Sequence, residues 1–191
     1  MSFQHAHLSV PKPGERANGD AVLVREEGPG RVMLAVIDGL GHGPMAAEAA
    51  NSAINRLQTL AWEMTMLDMM QTLHKDLRGT RGAAATVCVI NGRKLEACAV
   101  GNVQLSSFGC SLPLILSAGV LGHQVGTFRV CRSEVPERTR LALFSDGIST
   151  RVRLEDTSKL TPAAACHAIF GRYRRAEDDA TILVADLGQL Q

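Results

Sequence analysis

The sequence lacks an excess of charge of either sign and has no long apolar run. Its 191 residues carry 20 Lys and Arg against 19 Asp and Glu, a formal net charge of +1. This balance, with no basic cluster, argues against binding to DNA or RNA. No run approaches the roughly 18 apolar residues that cross a bilayer, and the first residues do not resemble a signal peptide. We therefore expect a cytoplasmic protein that does not bind membranes.

The sequence also lacks paired cysteines. Its five cysteines form an odd count without a Cys-x-x-Cys pair, and each lies among apolar or small residues. This pattern is typical of reduced thiols in a core, and it favours neither a zinc site nor a disulfide framework.

Short runs rich in Val, Ile, Leu and Ala, bounded by Gly, Pro or Asn, predict nine strands. These lie at 4–10, 20–25, 31–37, 84–90, 95–100, 103–108, 127–131, 140–144 and 181–185. Asn91-Gly92 predicts a tight hairpin, and Val100-Gly101-Asn102 predicts another reversal, so we expect an antiparallel meander. Helical spacing predicts an αα-hairpin of two helices at 44–61 and 66–77, and a third helix from Pro162 to a break at Gly171.

Hairpin-linked strands with helices in separate blocks indicate an α/β fold of the α+β kind. We expect two mainly antiparallel sheets stacked on one another and covered by helices on the outside. The length is enough to bury a substantial core and is most simply one domain spanning residues 1–191.

Two predicted strands end on an aspartate that is followed by glycine. The first is Ile37-Asp38-Gly39-Leu40-Gly41-His42-Gly43, and the second is Ser145-Asp146-Gly147. A buried strand seldom ends this way unless a carboxylate is required at the sheet edge and the backbone bends beside it. Asp20 opens another strand, and Asp178-Asp179 precedes the last one. We therefore expect four aspartates to share one site.

Carboxylates gathered without a counter-charge repel one another and raise each other's pKa, so cations are needed to neutralise them. Oxygen ligands without Cys or His pairs favour Mg²⁺ or Mn²⁺ over Zn²⁺. The glycine at Gly39 would let its backbone carbonyl approach an ion closely. Two such ions can activate a water and hold a phosphate, which makes hydrolysis of a phosphate ester the natural reaction.

The acidic motifs resemble, in order and spacing, those of the PPM family of metal-dependent serine/threonine protein phosphatases, most closely its bacterial SpoIIE branch. Within that branch the chain is most similar to RsbX-type phosphatases, and the resemblance covers nearly its whole length. The segments that carry this second likeness are the Asp-Gly-Leu-Gly-His-Gly form of the second motif, Thr80-Arg81-Gly82-Ala83-Ala84-Ala85, Val100-Gly101-Asn102 and Gly119-Val120-Leu121-Gly122.

This resemblance implies a PPM-type αββα sandwich with two Mn²⁺ or Mg²⁺ ions between the sheets. Asp38 would bridge the ions, Asp20 and the Gly39 carbonyl would complete one ion, and Asp146 with Asp178 would hold the other. Asp38 and Asp146 are the expected catalytic residues, and metal-bound hydroxide would attack the phosphate. The implied substrates are stressosome scaffold proteins phosphorylated on Ser or Thr.

Several roles stay open. Asp178 and Asp179 compete for one ligand position, and the family pattern favours Asp178, which leaves Asp179 to cap or hydrogen-bond. His42 is favoured as a residue that orients the loop or a water rather than as a general acid. Arg16 is the only arginine near the first acidic motif that could grip phosphate, as an arginine does in eukaryotic relatives.

Two other functions compete with a protein phosphatase. A non-catalytic phosphoprotein-binding module could keep the fold, although it would have no reason to maintain a self-repelling cluster of acids. A metal-dependent phosphomonoesterase could act on small molecules, but no Gly-x-x-x-x-Gly-Lys loop supports a nucleotide substrate.

Overall fold

The computed structural model describes residues 3–188, in which two antiparallel sheets pack face to face between helices. The strands are β1 (Phe3–Val10), β2 (Asp20–Glu26), β3 (Arg31–Gly39), β4 (Ala83–Asn91), β5 (Lys94–Val100), β6 (Gln104–Phe108), β7 (Val130–Glu134), β8 (Thr139–Phe144) and β9 (Ala180–Leu187). The helices are α1 (Pro44–Thr59), α2 (Met66–Asp76) and α3 (Pro162–Tyr173), with a short 3₁₀ helix at Leu154–Thr157.

The strands form one sheet in the order β1-β9-β8-β6 and another in the order β2-β3-β4-β5-β7. Helices α1 and α2 cover the five-stranded sheet, and α3 covers the four-stranded sheet. The layers are therefore α, β, β, α, which confirms the predicted sandwich.

Strand β3 shows why this sequence requires a layer on each side of the sheet. Residues 32–37 are all buried, and successive side chains point to opposite faces. Met33, Ala35 and Ile37 pack in the core beneath α1 and α2. The alternate residues of this strand, with Leu143 and Leu183 of the opposite sheet, form the core between the sheets. A continuous apolar strand is thus stable because both of its faces are covered.

The predicted meander is wrong at its last strand. Strands β2 to β5 do pair in sequence order, but β6 pairs with β8 in the other sheet. The reversal at Gly101 and Asn102 carries the chain across the sandwich instead of back along β5. The residues Gly101 and Asn102 predict only that the chain changes direction. Which sheet β6 joins depends on where its side chains can be buried.

Every predicted strand and helix differs from the observed one by one to three residues at one or both ends, and two of these differences are instructive. Strand β7 runs over Val130–Glu134 rather than 127–131, because its charged residues pair with β5: Arg132 Nε lies 2.8 Å from Glu96 Oε1. Helix α3 does not break at Gly171 but continues to Tyr173. It ends where Arg174 becomes extended and forms a bridge with Ile148. An exposed glycine costs a helix only about 1 kcal/mol, which tertiary contacts readily outweigh.

None of the helices within residues 3–188 is both long enough and apolar enough to cross a membrane.

Candidate metal centre and active-site cleft

Asp20 and Asp38 lie opposite each other at the same end of the pair β2 and β3. Beyond them, the backbone N–H of Gly39 donates to the carbonyl of Gly19 at 2.9 Å. A side chain at Gly39 would overlap the backbone carbonyl of Ala46 in α1. The glycine after Asp38 is thus required by the close contact between this turn and α1, which holds the carboxylate at the sheet edge.

The other acids come from the second sheet. Asp146 follows the end of β8, and Asp178 and Asp179 precede β9, so the two sheets supply the site from opposite sides. Ser145 links them: its hydroxyl donates to Asp20 Oδ2 at 2.6 Å and accepts the backbone N–H of Thr181 at 3.0 Å. The cluster therefore forms only when the two sheets pack together.

Asp146 is held by a side chain of the reversal after β5. Asn102 Nδ2 donates to Asp146 Oδ2 at 2.6 Å, which leaves the other carboxylate oxygen available. The sequence placed Asn102 in a turn and in a segment that resembles the family, but it did not indicate this contact, because Asp146 lies 44 positions away.

The two neighbouring acids before β9 have different surroundings. Asp179 is buried, and its carboxylate accepts the N–H groups of Lys12 at 2.8 Å and Gly19 at 3.1 Å. Asp178 is half-buried, lines the open cleft, and accepts the N–H of Asp179 at 2.9 Å. Asp179 thus ties two loops together, while Asp178 faces the space shared with Asp38 and Asp146.

Burial raises the pKa of Asp20 to about 7, and hydrogen bonds from Ser145 and Thr181 offset part of that effect. Burial, followed by repulsion from the neighbouring aspartates, raises the pKa of Asp38 to about 8. The pKa of Asp146 is also raised, chiefly by burial and then by Asp178. Nearby positive charge would reverse these shifts.

A divalent cation fits these residues. Asp20 Oδ1 is buried and has no hydrogen-bond partner, and such a carboxylate oxygen is costly unless a cation or donor meets it. Across residues 3–188, no three Asp, Glu, His or Cys side chains are placed so that they could hold a metal ion by themselves. An open site of carboxylates, backbone carbonyls and waters is the arrangement that Mg²⁺ favours.

Asp38, Asp146 and Asp178 line a cleft of about 490 Å³. Its charged and polar lining consists of Lys12, Asp38, His42, Asn102, Asp146, Glu177 and Asp178. His42 is half-exposed, and its Nδ1 lies 2.7 Å from Glu15 Oε1. Arg16 is exposed and does not belong to the lining. The cleft thus contains a lysine where the sequence analysis considered an arginine.

Solved structures share this fold over nearly the whole chain. A chain from a study of the bacterial stressosome, described as a modular system adapted to control secondary messenger signalling, is 30% identical, with a TM-score of 0.90 over 97% of this chain and 100% of that one. RsbX in complex with magnesium is 20% identical, with a TM-score of 0.84 over 97% and 96% of the two chains. The catalytic domain of the serine/threonine protein phosphatase PstP with two manganese ions is 19% identical, with a TM-score of 0.72 over 98% and 99%.

The sandwich is therefore the PPM, or PP2C, phosphatase fold. The family model for stage II sporulation protein E (SpoIIE) matches residues 28–188, and the chain belongs to that family. This confirms the family predicted from the acidic motifs. No curated protein matches the sequence.

Proposed function

We propose that the protein is a metal-dependent phosphatase that acts on phosphoserine and phosphothreonine in proteins. The observation that carries this proposal is that Asp38, Asp146 and Asp178 line one open cleft from both sheets. Burial and repulsion between neighbouring aspartates raise the pKa of Asp20, Asp38 and Asp146. The match to a family of phosphatases indicates the class of reaction. The acid cluster contains the kind of side chains with shifted pKa values that such a reaction uses.

The residues that would hold two Mn²⁺ or Mg²⁺ ions are Asp20, Asp38, the Gly39 carbonyl, Asp146 and Asp178. When bound, such ions neutralise the acids, activate a water and hold the phosphate. Ser145 keeps Asp20 oriented by donating at 2.6 Å. Asn102 does the same for Asp146, also at 2.6 Å. Because these donors fix the carboxylates in advance, little reorganisation is needed for binding.

The substrate we propose is a folded phosphoprotein of the stressosome scaffold type, dephosphorylated in the cytoplasm. Two structural neighbours support this choice: a chain from a study of the bacterial stressosome, and RsbX. Leu40 in the lining of the cleft and Met45 in the first turn of α1 are large apolar side chains that are 52% and 53% exposed. Apolar groups in such positions suit contact with a protein surface better than contact with a small ester.

The reaction is tested with p-nitrophenyl phosphate. We expect hydrolysis in Mn²⁺ or Mg²⁺, loss of activity in excess chelator, and no recovery with Zn²⁺. Leu67→Ala is a matched surface control, since this exposed side chain lies on α2 and does not line the cleft. Undiminished hydrolysis in chelator would refute the metal-dependent reaction.

Substrate choice is tested by comparing a folded, phosphorylated scaffold protein with a short phosphopeptide cut from it and with a phosphotyrosine peptide. We expect the highest kcat/KM for the folded protein and the lowest for phosphotyrosine. Leu40→Ser should lower kcat/KM for the folded protein and leave p-nitrophenyl phosphate hydrolysis unchanged. Equal efficiency on all three substrates would indicate a general phosphomonoesterase.

A further inference from the structure

The cleft combines several acids with a single lysine. Among the cleft-lining residues of the described chain, Lys12 is the only lysine or arginine, and it shares the cleft with Asp38, Asp146, Glu177 and Asp178. Within residues 3–188, no carboxylate oxygen lies within 4.0 Å of its ammonium group to form an ion pair. Lys12 also precedes the region matched by the family model, which begins at residue 28.

The backbone of Lys12 is fixed on both sides. Its N–H donates to Asp179 Oδ1 at 2.8 Å, and its carbonyl accepts the N–H of Glu15 at 3.0 Å. The second bond closes a type II turn with Pro13 and Gly14 at its centre, where Gly14 has a φ of +89°. Proline and glycine pre-organise this turn, so the lysine leaves the backbone from a defined point.

The same turn is also tied to the loop that follows Asp38. Glu15 Oε1 lies 2.7 Å from His42 Nδ1, which assigns His42 the role of holding these two loops together. A side chain at Gly43 would come within 3.2 Å of Glu15 Oε2, so glycine there leaves room for the carboxylate. On its other side, Pro11 accepts a hydrogen bond from Arg174 at 3.3 Å.

We propose that Lys12 is the phosphate-binding cation of this active site, in the role considered for Arg16 from the sequence; this rests on the proposed phosphatase function. Metal ions would neutralise the side of a phosphate ester that faces the acid cluster. A cation of the protein would stabilise the negative charge on the side that faces away from the ions. A lysine ammonium supplies three donors and a compact charge on a flexible stem, which suits a phosphate that enters and leaves. Lys12 lines the cleft, whereas Arg16 is exposed and does not line it.

Phosphate binding gives the direct test. We would titrate inorganic phosphate into Mg²⁺-saturated protein by calorimetry and compare wild type with Lys12→Met, Lys12→Arg and Arg16→Met. Lys12→Met should raise the phosphate Kd about tenfold, because a hydrogen bond between charged groups is lost. Lys12→Arg should recover most of the affinity, and Arg16→Met, the matched control on the same loop, should match wild type.

Kinetics and metal binding separate a substrate-binding role from a structural one. For Lys12→Met we expect a raised KM for a phosphoprotein substrate with unchanged Mg²⁺ affinity and unchanged Tm, because the backbone bonds of the turn remain. A phosphate Kd for Lys12→Met within twofold of wild type would overturn the proposal. Absence of hydrolysis by wild type would instead refute the phosphatase function, since phosphate binding is measured independently of turnover.

Discussion

Charged side chains are neutralised by a partner at one end of the strand pair β8 and β9 and lack such a partner at the other end. At one end Arg140 and Asp186 face each other in the ladder, and both are buried. At the other end Asp146 follows β8 and Asp178 precedes β9, beside the acids of the opposite sheet. The same two strands thus carry a neutralised ion pair and an unneutralised cluster of acids.

The Arg140 end is fully paired. Arg140 donates to both oxygens of Asp186 at 2.7 Å and to the carbonyl of Leu160 at 2.6 Å. It also donates to the carbonyl of Thr157 and, at 3.1 Å, to its hydroxyl. With its donors satisfied, the guanidinium attaches the 3₁₀ helix at Leu154–Thr157 to the sheet.

The acid end keeps an unpartnered buried oxygen on Asp20 and raised pKa values on three aspartates. The comparison shows that burial alone does not separate a structural charge from a functional one. What separates them is whether the chain itself supplies the counter-charge. Where it does, the charges hold the fold together; where it does not, the site is complete only with an ion.

The largest expected effect is on catalysis. Asp38→Asn removes the charge assigned to both ions, so kcat should fall about 100-fold or more. Turnover of a phosphoprotein in Mn²⁺ measures this loss, and Tm and circular dichroism should show an intact fold. Near wild-type turnover would show that Asp38 is not needed between the ions.

A substitution at Arg140 should change the stability of the protein rather than its catalysis. Arg140→Met leaves Asp186 buried without its partner and should cost about 3–5 kcal/mol of unfolding free energy. Urea denaturation measures this cost. The double variant Arg140→Met with Asp186→Leu should recover much of it, because no unpaired charge remains. If the single and double variants were equally destabilised, lost packing rather than charge would explain the effect.

The adjacent residues Asp178 and Asp179 allow the same comparison between a functional charge and a structural one. Asp178→Ala should reduce activity strongly with little change in stability. Asp179→Ala should cost about 1–3 kcal/mol of stability, because it leaves the N–H groups of Lys12 and Gly19 without their acceptor. Its effect on kcat should be the smaller of the two, and the reverse ranking would make Asp179 the metal ligand.

The last expected effect is a pH dependence of the metal-free protein. The pKa of Asp20 is raised to about 7 and that of Asp38 to about 8, from 3.8. The folded state therefore keeps protons that the unfolded state has released, and stability falls as pH rises from about 4 to about 8. In chelator, Tm should therefore drop as the pH rises from about 5 to about 8.

Added Mg²⁺ should remove most of that dependence, because the cation stabilises the ionised acids. Asp38→Asn should flatten it as well, since one titrating group is gone. A Tm in chelator that rises over this pH range would contradict the raised pKa values.

Much of the fold could be predicted because the spacing of apolar residues along the chain indicates which side chains are buried. The apolar run before Asp38 and the alanine spacing after Pro44 identified β3 and α1, since burial requires those patterns. The order of the acidic motifs likewise predicted the family, which the SpoIIE match confirms. The metal-ligand assignments stay predictions, although the cleft position of Asp178 supports its choice over Asp179.

By itself, the sequence determined the approximate positions of the strands and helices, because each depends on residues close together in the chain. It also determined the family, because the order and spacing of the acidic motifs can be read along the chain. Only the tertiary structure decided that β6 joins the other sheet, that Asn102 holds Asp146, and that Lys12 rather than Arg16 enters the cleft. The bond from Lys12 to Asp179 spans 167 positions. No local pattern encodes such a pairing, because it exists only after two sheets have packed and brought the loops between their strands together.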